Sequence, residues 1–372
     1  MKRLVPLIAI ILLSACGQPR ASLPTVSPTT GSVPTATSVP TATSAADKTL
    51  VVMAHDSFSV SESVLASFQQ QYGVKVQVLK GGDAGTVLNQ AILSKTSPLA
   101  DVFFGVDNTF LSRALAADIF LPYDSPALAG MPADLKLDPS DRLLPVDYGY
   151  VTINYDKAAL TQANLTIPTA LEDLSKPTWK GKLVVENPAT SSPGLAFLLT
   201  TISHFGETGS YTWKEYWRDL RANDVFISNN WTDAYYTQFS GSSGKGAYPL
   251  VLSYATSPAA EVYFSGGKLS EPPTGNLLVP GGSFRQIEFV GILKGTQKED
   301  LAKKFVDFML GSQFQADIPL QMFVYPALPT APQPEIFAKF AQVPTQAVEL
   351  TPTQIEAGRE GWIKVWTEIM LR

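Results

Sequence analysis

Beyond its first 46 residues the chain alternates short apolar runs of strand length with longer stretches whose apolar residues recur at helical spacing. Thr49 to Ala54 is a short apolar run, and Val60 to Tyr72 has the pattern of an amphipathic helix. Val74 to Leu79 alternates and is β-branched, and Gly85 to Leu93 returns to helical spacing. Asp101 to Gly105 has the composition of a buried strand, followed by a helix over Asn108 to Ala117. This β-α-β-α-β order predicts an open parallel sheet with helices on both faces. A second series follows: strands over Leu183 to Glu186 and Tyr248 to Tyr254, with helices over Gly194 to Ser203 and Ser210 to Arg221. Gln286 to Leu293 is an apolar strand that leads to a helix over Glu299 to Leu310, and the last helix runs from Thr353 to Leu371. Two such series predict an α/β chain of two lobes.

The N-terminal residues break the pattern. Lys2 and Arg3 precede an apolar run, Leu4 to Leu13, that is too short to span a bilayer and reads as a signal peptide. Leu13-Ser14-Ala15-Cys16 resembles the lipobox of bacterial lipoproteins, and Cys16 is the sole cysteine of the chain. That resemblance implies cleavage after residue 15, a lipid on Cys16 and attachment to the outer side of the cell membrane. More than one acyl chain is needed for stable anchoring. From Ala21 to Ala46 there is no charged or aromatic residue, and Ser-Val-Pro-Thr-Ala-Thr occurs twice in tandem from Ser32 to Thr43. Such a segment buries too little apolar area to offset its ordering entropy. Residues 16–47 are therefore expected to be an unfolded tether, reaching up to about 80 Å at ~3.1 Å per extended residue.

Composition narrows the function classes. The chain is 45% hydrophobic and 16% charged, with a formal charge of −5. Without residues 1–15 it carries 26 basic and 33 acidic residues, a charge of −7. Nucleic-acid binding wants clustered Lys and Arg, so nucleic acid is not an expected partner. A mildly acidic surface is compatible with cationic ligands. There are two histidines, His55 and His204, no His-x-x-x-His pair and no cysteine cluster, so no metal site is expected. There is no Gly-x-Ser-x-Gly elbow and no phosphate-binding Walker loop. These gaps point away from an enzyme and from a bound cofactor.

The functional signal lies where strands hand over to helices. In open α/β sheets, ligands bind beyond the carboxyl ends of strands. Four junctions carry small polar residues: Gly81-Gly82-Asp83-Ala84-Gly85, Val106-Asp107-Asn108-Thr109, Thr190-Ser191-Ser192-Pro193-Gly194 and Ser253-Tyr254-Ala255-Thr256-Ser257-Pro258. In the last two, Ser-Pro fits a helix cap followed by the first helical position. Free backbone N–H groups at such starts favour anions and polar ligand atoms.

Several segments make a more specific likeness. Asp56-Ser57-Phe58, Gly105-Val106-Asp107-Asn108, Val146-Asp147-Tyr148-Gly149-Tyr150 and Thr190-Ser191-Ser192-Pro193-Gly194-Leu195 are among them. The most distinctive is Leu252-Ser253-Tyr254-Ala255-Thr256-Ser257-Pro258-Ala259, and the likeness continues through Phe305-Val306-Asp307-Phe308-Met309 and Tyr325-Pro326. In these the chain resembles the thiamine-binding proteins, the substrate-binding components of thiamine ABC importers, and more distantly the ferric-ion and polyamine binders. The resemblance covers essentially everything after the tether. It implies a two-lobed periplasmic-binding-protein-like fold of type II, each lobe a mostly parallel sheet flanked by helices, with the ligand in the cleft between lobes. Lobe one would comprise residues 48–148 and 287–345 and lobe two residues 149–286. Residues 346–372 form a terminal helix of unassigned lobe.

The same resemblance implies the ligand contacts. Asp83 and Ala84 occupy the turn after the second strand. Ser191 and Ser192 occupy a helix start suited to a phosphate. Trp231 follows Asn229-Asn230, and Tyr254, Ala255, Thr256 and Ser257 form a strand-end loop. His55 stands where the family has Tyr and Phe323 where it has Trp. Asp56, beside His55, is the second carboxylate suited to the aminopyrimidine. Thiamine's thiazolium is a fixed cation, which aromatic faces attract by about 0.5–2 kcal/mol each. Thiamine or a thiamine phosphate, a cognate permease and the membrane are thus the expected partners of a monomer. Two alternatives stay open. Tyr235-Tyr236 with His55 and a carboxylate would suit ferric ion, although adjacent tyrosines on a helix should put at most one ring in the cleft. Asp83 and Asp107 would serve an exported phosphate-ester hydrolase.

Overall fold

The computed structural model describes residues 48–243 and 245–372. The signal segment, Cys16 and the tether of residues 16–47 lie outside the described residues, except that the first described residue, Lys48, opens the folded part. Among the described residues eleven strands form one sheet: β1 (Thr49–Ala54), β2 (Lys75–Lys80), β3 (Val102–Asp107), β4 (Phe120–Leu121), β5 (Leu144–Asp156), β6 (Leu183–Glu186), β7 (Phe226–Ser228), β8 (Leu250–Tyr254), β9 (Thr274–Leu277), β10 (Phe284–Leu293) and β11 (Tyr325–Pro326). The main path through it is β2-β1-β3-β10-β5-β8-β6-β7.

Two parallel segments flank an antiparallel centre. β1 pairs in parallel with β2 and β3, and β6 pairs in parallel with β7 and β8. Between these segments run the two longest strands, β5 and β10, antiparallel to each other from Phe284 opposite Val151 to Val290 opposite Leu144. β10 is also antiparallel to β3, and β5 to β8. Periodicity revealed Gln286 to Leu293 as a strand but not its direction, and it left β5 without an element. The reason is local: Asp147-Tyr148-Gly149-Tyr150 interrupts an apolar run, yet Asp147 is fully buried there.

Local sequence explains most elements. All six residues of β3 are buried, as expected of a strand covered on both faces. The helix Trp213–Ala222 starts with a capping box between Thr212 and Glu215 and buries Trp213, Tyr216, Trp217 and Leu220 on one side. The helix Glu299–Leu310 buries Ala302, Phe305, Val306, Met309 and Leu310 at the same spacing. Glu62–Tyr72 stops at Gly73, whose φ of 62° is the left-handed conformation glycine adopts without strain.

The terminal helix, Pro352–Met370, packs on both halves of the sheet's helical cover. It touches Trp213–Ala222, where Trp366 meets Trp217 edge-on at 5.5 Å, and Leu111–Ala116. The Arg359 guanidinium lies 4.8 Å over the ring of Phe110, just before that second helix. Among the described residues no helix is long and apolar enough to cross a membrane.

Candidate functional site

Strand ends and helix starts converge on a cavity of about 390 Å³, within the 300–1,000 Å³ usual for small-molecule sites. One side is made by the segment after β1, with His55, Asp56 and Ser57, and by the turn after β2, with Asp83 and Ala84. β10 contributes Gln286 and Glu288. The aromatic side of the lining is Trp231, Tyr235, Tyr236, Tyr254 and Phe264, with Phe323 and Met322. Ser192, Thr256 and Ser257 line it from two helix starts.

The acidic side is fixed by backbone geometry. Asp83 precedes the helix Ala84–Leu93, and its Oδ2 accepts the Trp231 N–H at 3.0 Å, tying the acid to the aromatic wall. Burial raises the Asp83 pKa, opposed by hydrogen bonding and by His55. Asp56 Oδ1 accepts the Gly82 N–H at 2.9 Å, which ties the first turn to the second. Gly85 is required beside them: a Cβ there would lie 2.8 Å from the Phe110 ring and 2.8 Å from the Thr190 carbonyl oxygen. His55 Nε2 lies 3.1 Å from Glu288 Oε1. Burial lowers the His55 pKa, but Glu288, with help from Asp83 and Asp107, brings it above its ordinary value.

A further set of acids lies behind the surface. Asp107, fully buried at the end of β3, accepts from the Ser192 hydroxyl and, at 2.7 Å, from the Thr109 N–H. Burial pushes its pKa up to about 6. Asp147 on β5 sits directly across from Glu288 on β10, and burial followed by the proximity of Glu288 holds its pKa well above the carboxylate range. Glu186 is likewise fully buried and held well above that range by burial and by Asp83.

The aromatic wall is a connected set. Trp231 stacks on Tyr235 at 5.1 Å with 17° between planes and meets Tyr254 at 6.2 Å near edge-on. The Trp231 indole N–H donates to Ser253 Oγ at 2.9 Å, and the Tyr254 hydroxyl donates to Gln286 Oε1 at 3.1 Å. Both bonds hold a ring by its polar end, and one face of Trp231 is covered by Tyr235. Phe323 has a φ of 55°, a conformation bulky residues rarely adopt. The Thr256 hydroxyl donates to its carbonyl, and its ring stacks on Phe337 at 5.9 Å.

Of the twelve residues singled out above as ligand contacts, ten line the cavity: His55, Asp56, Asp83, Ala84 and Ser192, and Trp231, Tyr254, Thr256, Ser257 and Phe323. Ser191 and Ala255 do not. Both are fully buried behind the wall. Ala255 spends its N–H on the Tyr150 carbonyl and its own carbonyl on Asn276, so it has no free polar group to offer. The helix starts also fall one residue earlier than the Ser-Pro pattern suggested. Ser191 and Thr256 take the cap positions and Ser192 and Ser257 begin the helices. The prolines then stand second, where an N–H would still lack a helical partner.

The expectation that Tyr235 and Tyr236 would not share the cavity is corrected: both line it. The wider turn of the π-helical segment Ala234–Gln238 sets their rings edge to face at 5.3 Å, Tyr235 buried and Tyr236 half-exposed at the rim. The Tyr235 hydroxyl donates to Glu261 at 2.6 Å, and burial with that acid raises its pKa well above the ordinary value, which disfavours a phenolate. Among the described residues no three His, Cys, Asp or Glu side chains converge as a metal site would need. Sequence reasoning missed Glu288 and Gln286. Their signal was present: two polar residues, spaced by two and so on one face, inside the apolar strand FRQIEFVGIL.

The cavity thus presents Asp56, Asp83 and Glu288 beside aromatic rings, with no Lys or Arg on its surface among the described residues. That combination suits a flat ligand bearing positive charge.

Comparison with known proteins agrees. The model of the bacterial extracellular solute-binding protein family matches residues 97–342. The thiamine-binding periplasmic protein of Brucella melitensis is 30% identical over 329 residues, 87% of this chain and 92% of that protein. Its namesake from Salmonella typhimurium is 28% identical over 341 residues, 88% of this chain and 95% of that protein. A solved structure described as a periplasmic thiamin binding protein superimposes with a TM-score of 0.75 at 26% identity, over 87% of this chain and 96% of that one. Iron-bound HitA from Pseudomonas aeruginosa, at 20% identity and a TM-score of 0.69, covering 86% of this chain and 99% of its own, shares the fold.

Proposed function

We infer that this chain, which belongs to the bacterial extracellular solute-binding proteins, is the thiamine-binding component of an ABC importer, binding its ligand without altering it. The reading is supported by relatives of that name that align along nearly their whole length. The single observation that carries it is the cavity itself, where Trp231, Tyr235 and Tyr254 share the lining with Asp56, Asp83 and Glu288 and, among the described residues, with no Lys or Arg. A fixed cation on a flat ring gains from both walls: from the aromatic faces by cation–π attraction and from the acids by charge.

Within that reading, Asp83 and Asp56 are the acceptors for the aminopyrimidine, and Trp231, Tyr254 and Phe323 supply ring faces. Ser192, Thr256 and Ser257 supply hydroxyls and helix-start N–H groups, the place where a phosphate ester of thiamine would be held. Ser191 and Ala255 act from behind the wall.

The long antiparallel strands β5 and β10 are the natural hinge. Lobe one would be residues 48–148 with 287–345 and lobe two residues 149–286, closing on the ligand by rotation about these strands. Lipidation at Cys16 would tether the protein outside the cell membrane beside its permease. Isothermal titration with thiamine, its mono- and diphosphate, ferric ion and spermidine tests the function. Saturable one-to-one binding of thiamine with no heat from iron or spermidine is expected. Silence with thiamine, or steady turnover of its phosphate esters, would end the reading.

A further inference from the structure

The three acids on the cavity surface are not equivalent. Asp83 Oδ2 is occupied by the Trp231 N–H and Asp56 Oδ1 by the Gly82 N–H, so each serves as a brace between chain segments. Glu288 is different, because what stands against its Oε1 is a titratable side chain, His55, at 3.1 Å. Behind it lies another acid, Asp147, its direct cross-strand neighbour.

We propose that Glu288 is the specificity-determining residue for the ligand's positive charge and that His55 is its removable internal counter-ion, so that a cationic ring and the His55 proton compete for one carboxylate. The proposal rests on the thiamine reading above and names the residue that makes charge count.

Position supports it first. Gln286 and Glu288 point to the same face of β10, into the cavity, and Gln286 is held by the Tyr254 hydroxyl. Glu288 therefore sits beside the Tyr254 ring, where an acid and an aromatic face act on the same cation. Glu288 is only 7% exposed, and charge interactions screened by little water are strong. A carboxylate so buried needs a partner, and His55 stands against it.

His55 is built for that task. Its ring packs on Phe104 at 5.5 Å and directly over Gly105. At φ 99°, Gly105 is conformationally permissive, and a Cβ there would lie 2.3 Å from the ring. The charged groups facing His55 are Glu288 from β10, Asp83 from the turn after β2 and Asp107 from the end of β3. Asp147 faces Glu288 from β5. Against the lowering effect of burial, the three acids raise the His55 pKa, and burial together with Glu288 raises that of Asp147. A cation arriving at Glu288 removes the main reason for His55 to hold its proton. Thiamine affinity should therefore rise as pH climbs through the His55 pKa, and binding should release a proton.

The test compares thiamine with a neutral analogue of the same shape, in which a thiophene replaces the thiazolium. Titration calorimetry at pH 7 should show the wild-type protein binding thiamine at least tenfold more tightly than the analogue. Glu288→Gln should weaken thiamine at least tenfold and the analogue less than twofold. Wild-type heats in phosphate and Tris should differ by the ionisation heat of the released proton, and His55→Asn should abolish that difference. Equal losses for both ligands in Glu288→Gln, or no loss at all, would overturn the proposal. Should that variant not fold, the wild-type ratio and the buffer difference decide, and affinities within twofold with no proton release overturn it. If the wild-type protein ignores both ligands, the function reading fails, and this proposal falls with it.

Discussion

The two sides of the cavity are built on different principles. On the acidic side, each charged group is held by a partner from another chain segment: Asp56 by Gly82, Asp83 by Trp231, His55 against Glu288. On the aromatic side the rings hold one another, Trp231 on Tyr235 and Tyr254, and use their polar ends only as anchors to Ser253 and Gln286. The difference teaches a division of labour. On the proposed function, acids placed at strand ends set what charge the cavity accepts, and a self-packed aromatic wall sets its shape. Two direct bonds, from the Trp231 N–H to Asp83 and from the Tyr254 hydroxyl to Gln286, make the two a unit.

The largest expected effect comes from breaking the aromatic side. Trp231→Ala removes the central ring and its cation–π contribution. It should weaken thiamine about 100-fold, or ~3 kcal/mol, in titration calorimetry. An unchanged affinity would remove Trp231 from the contact set.

The acidic side is probed through pH. Asp107, with its pKa moved from the ordinary 3.8 up to about 6, binds its proton more tightly folded than unfolded. Below pH ~4 both states hold the proton, and between ~4 and ~6 chiefly the folded state does. The Asp107 contribution to stability therefore declines as pH rises through that window. Asp107→Asn should remove the decline, at most about 3 kcal/mol, in melting temperatures recorded from pH 4 to 7. Parallel curves for variant and wild type would contradict the assignment.

Smaller changes sharpen the boundary between the sides. Tyr254→Phe keeps the ring but strands the Gln286 oxygen. It should cost about 1 kcal/mol of thiamine affinity, about fivefold, where loss of the ring would cost more. Phe323→Trp enlarges a ring of the aromatic side and should raise affinity by no more than about threefold, since Trp is the better cation–π partner. A tenfold loss would mean that the left-handed backbone at residue 323 does not tolerate the larger ring.

Much of this is legible in the sequence. Leu183–Glu186 and Glu299–Leu310 fall where apolar spacing puts them, because one buried run and one amphipathic stripe have few other uses. The strand-to-helix junctions led to Asp83, Ser192 and Ser257 on the cavity surface. What stayed hidden depends on tertiary context. The direction of β10 is set by which strands flank it, and its buried Gln286 and Glu288 look like blemishes in an apolar strand until the cavity beside them is seen. Phe323 gives no local sign of its positive φ, since the Thr256 hydroxyl and the Phe337 ring that hold it come from distant segments.

The most direct test is a crystal structure of the protein grown with thiamine. The account predicts one molecule in the cavity, with a ring against Trp231 or Tyr254 and its positive ring within contact of Glu288. Thiamine bound elsewhere, or seated in the cavity against the aromatic side with no acid near its charge, would contradict it.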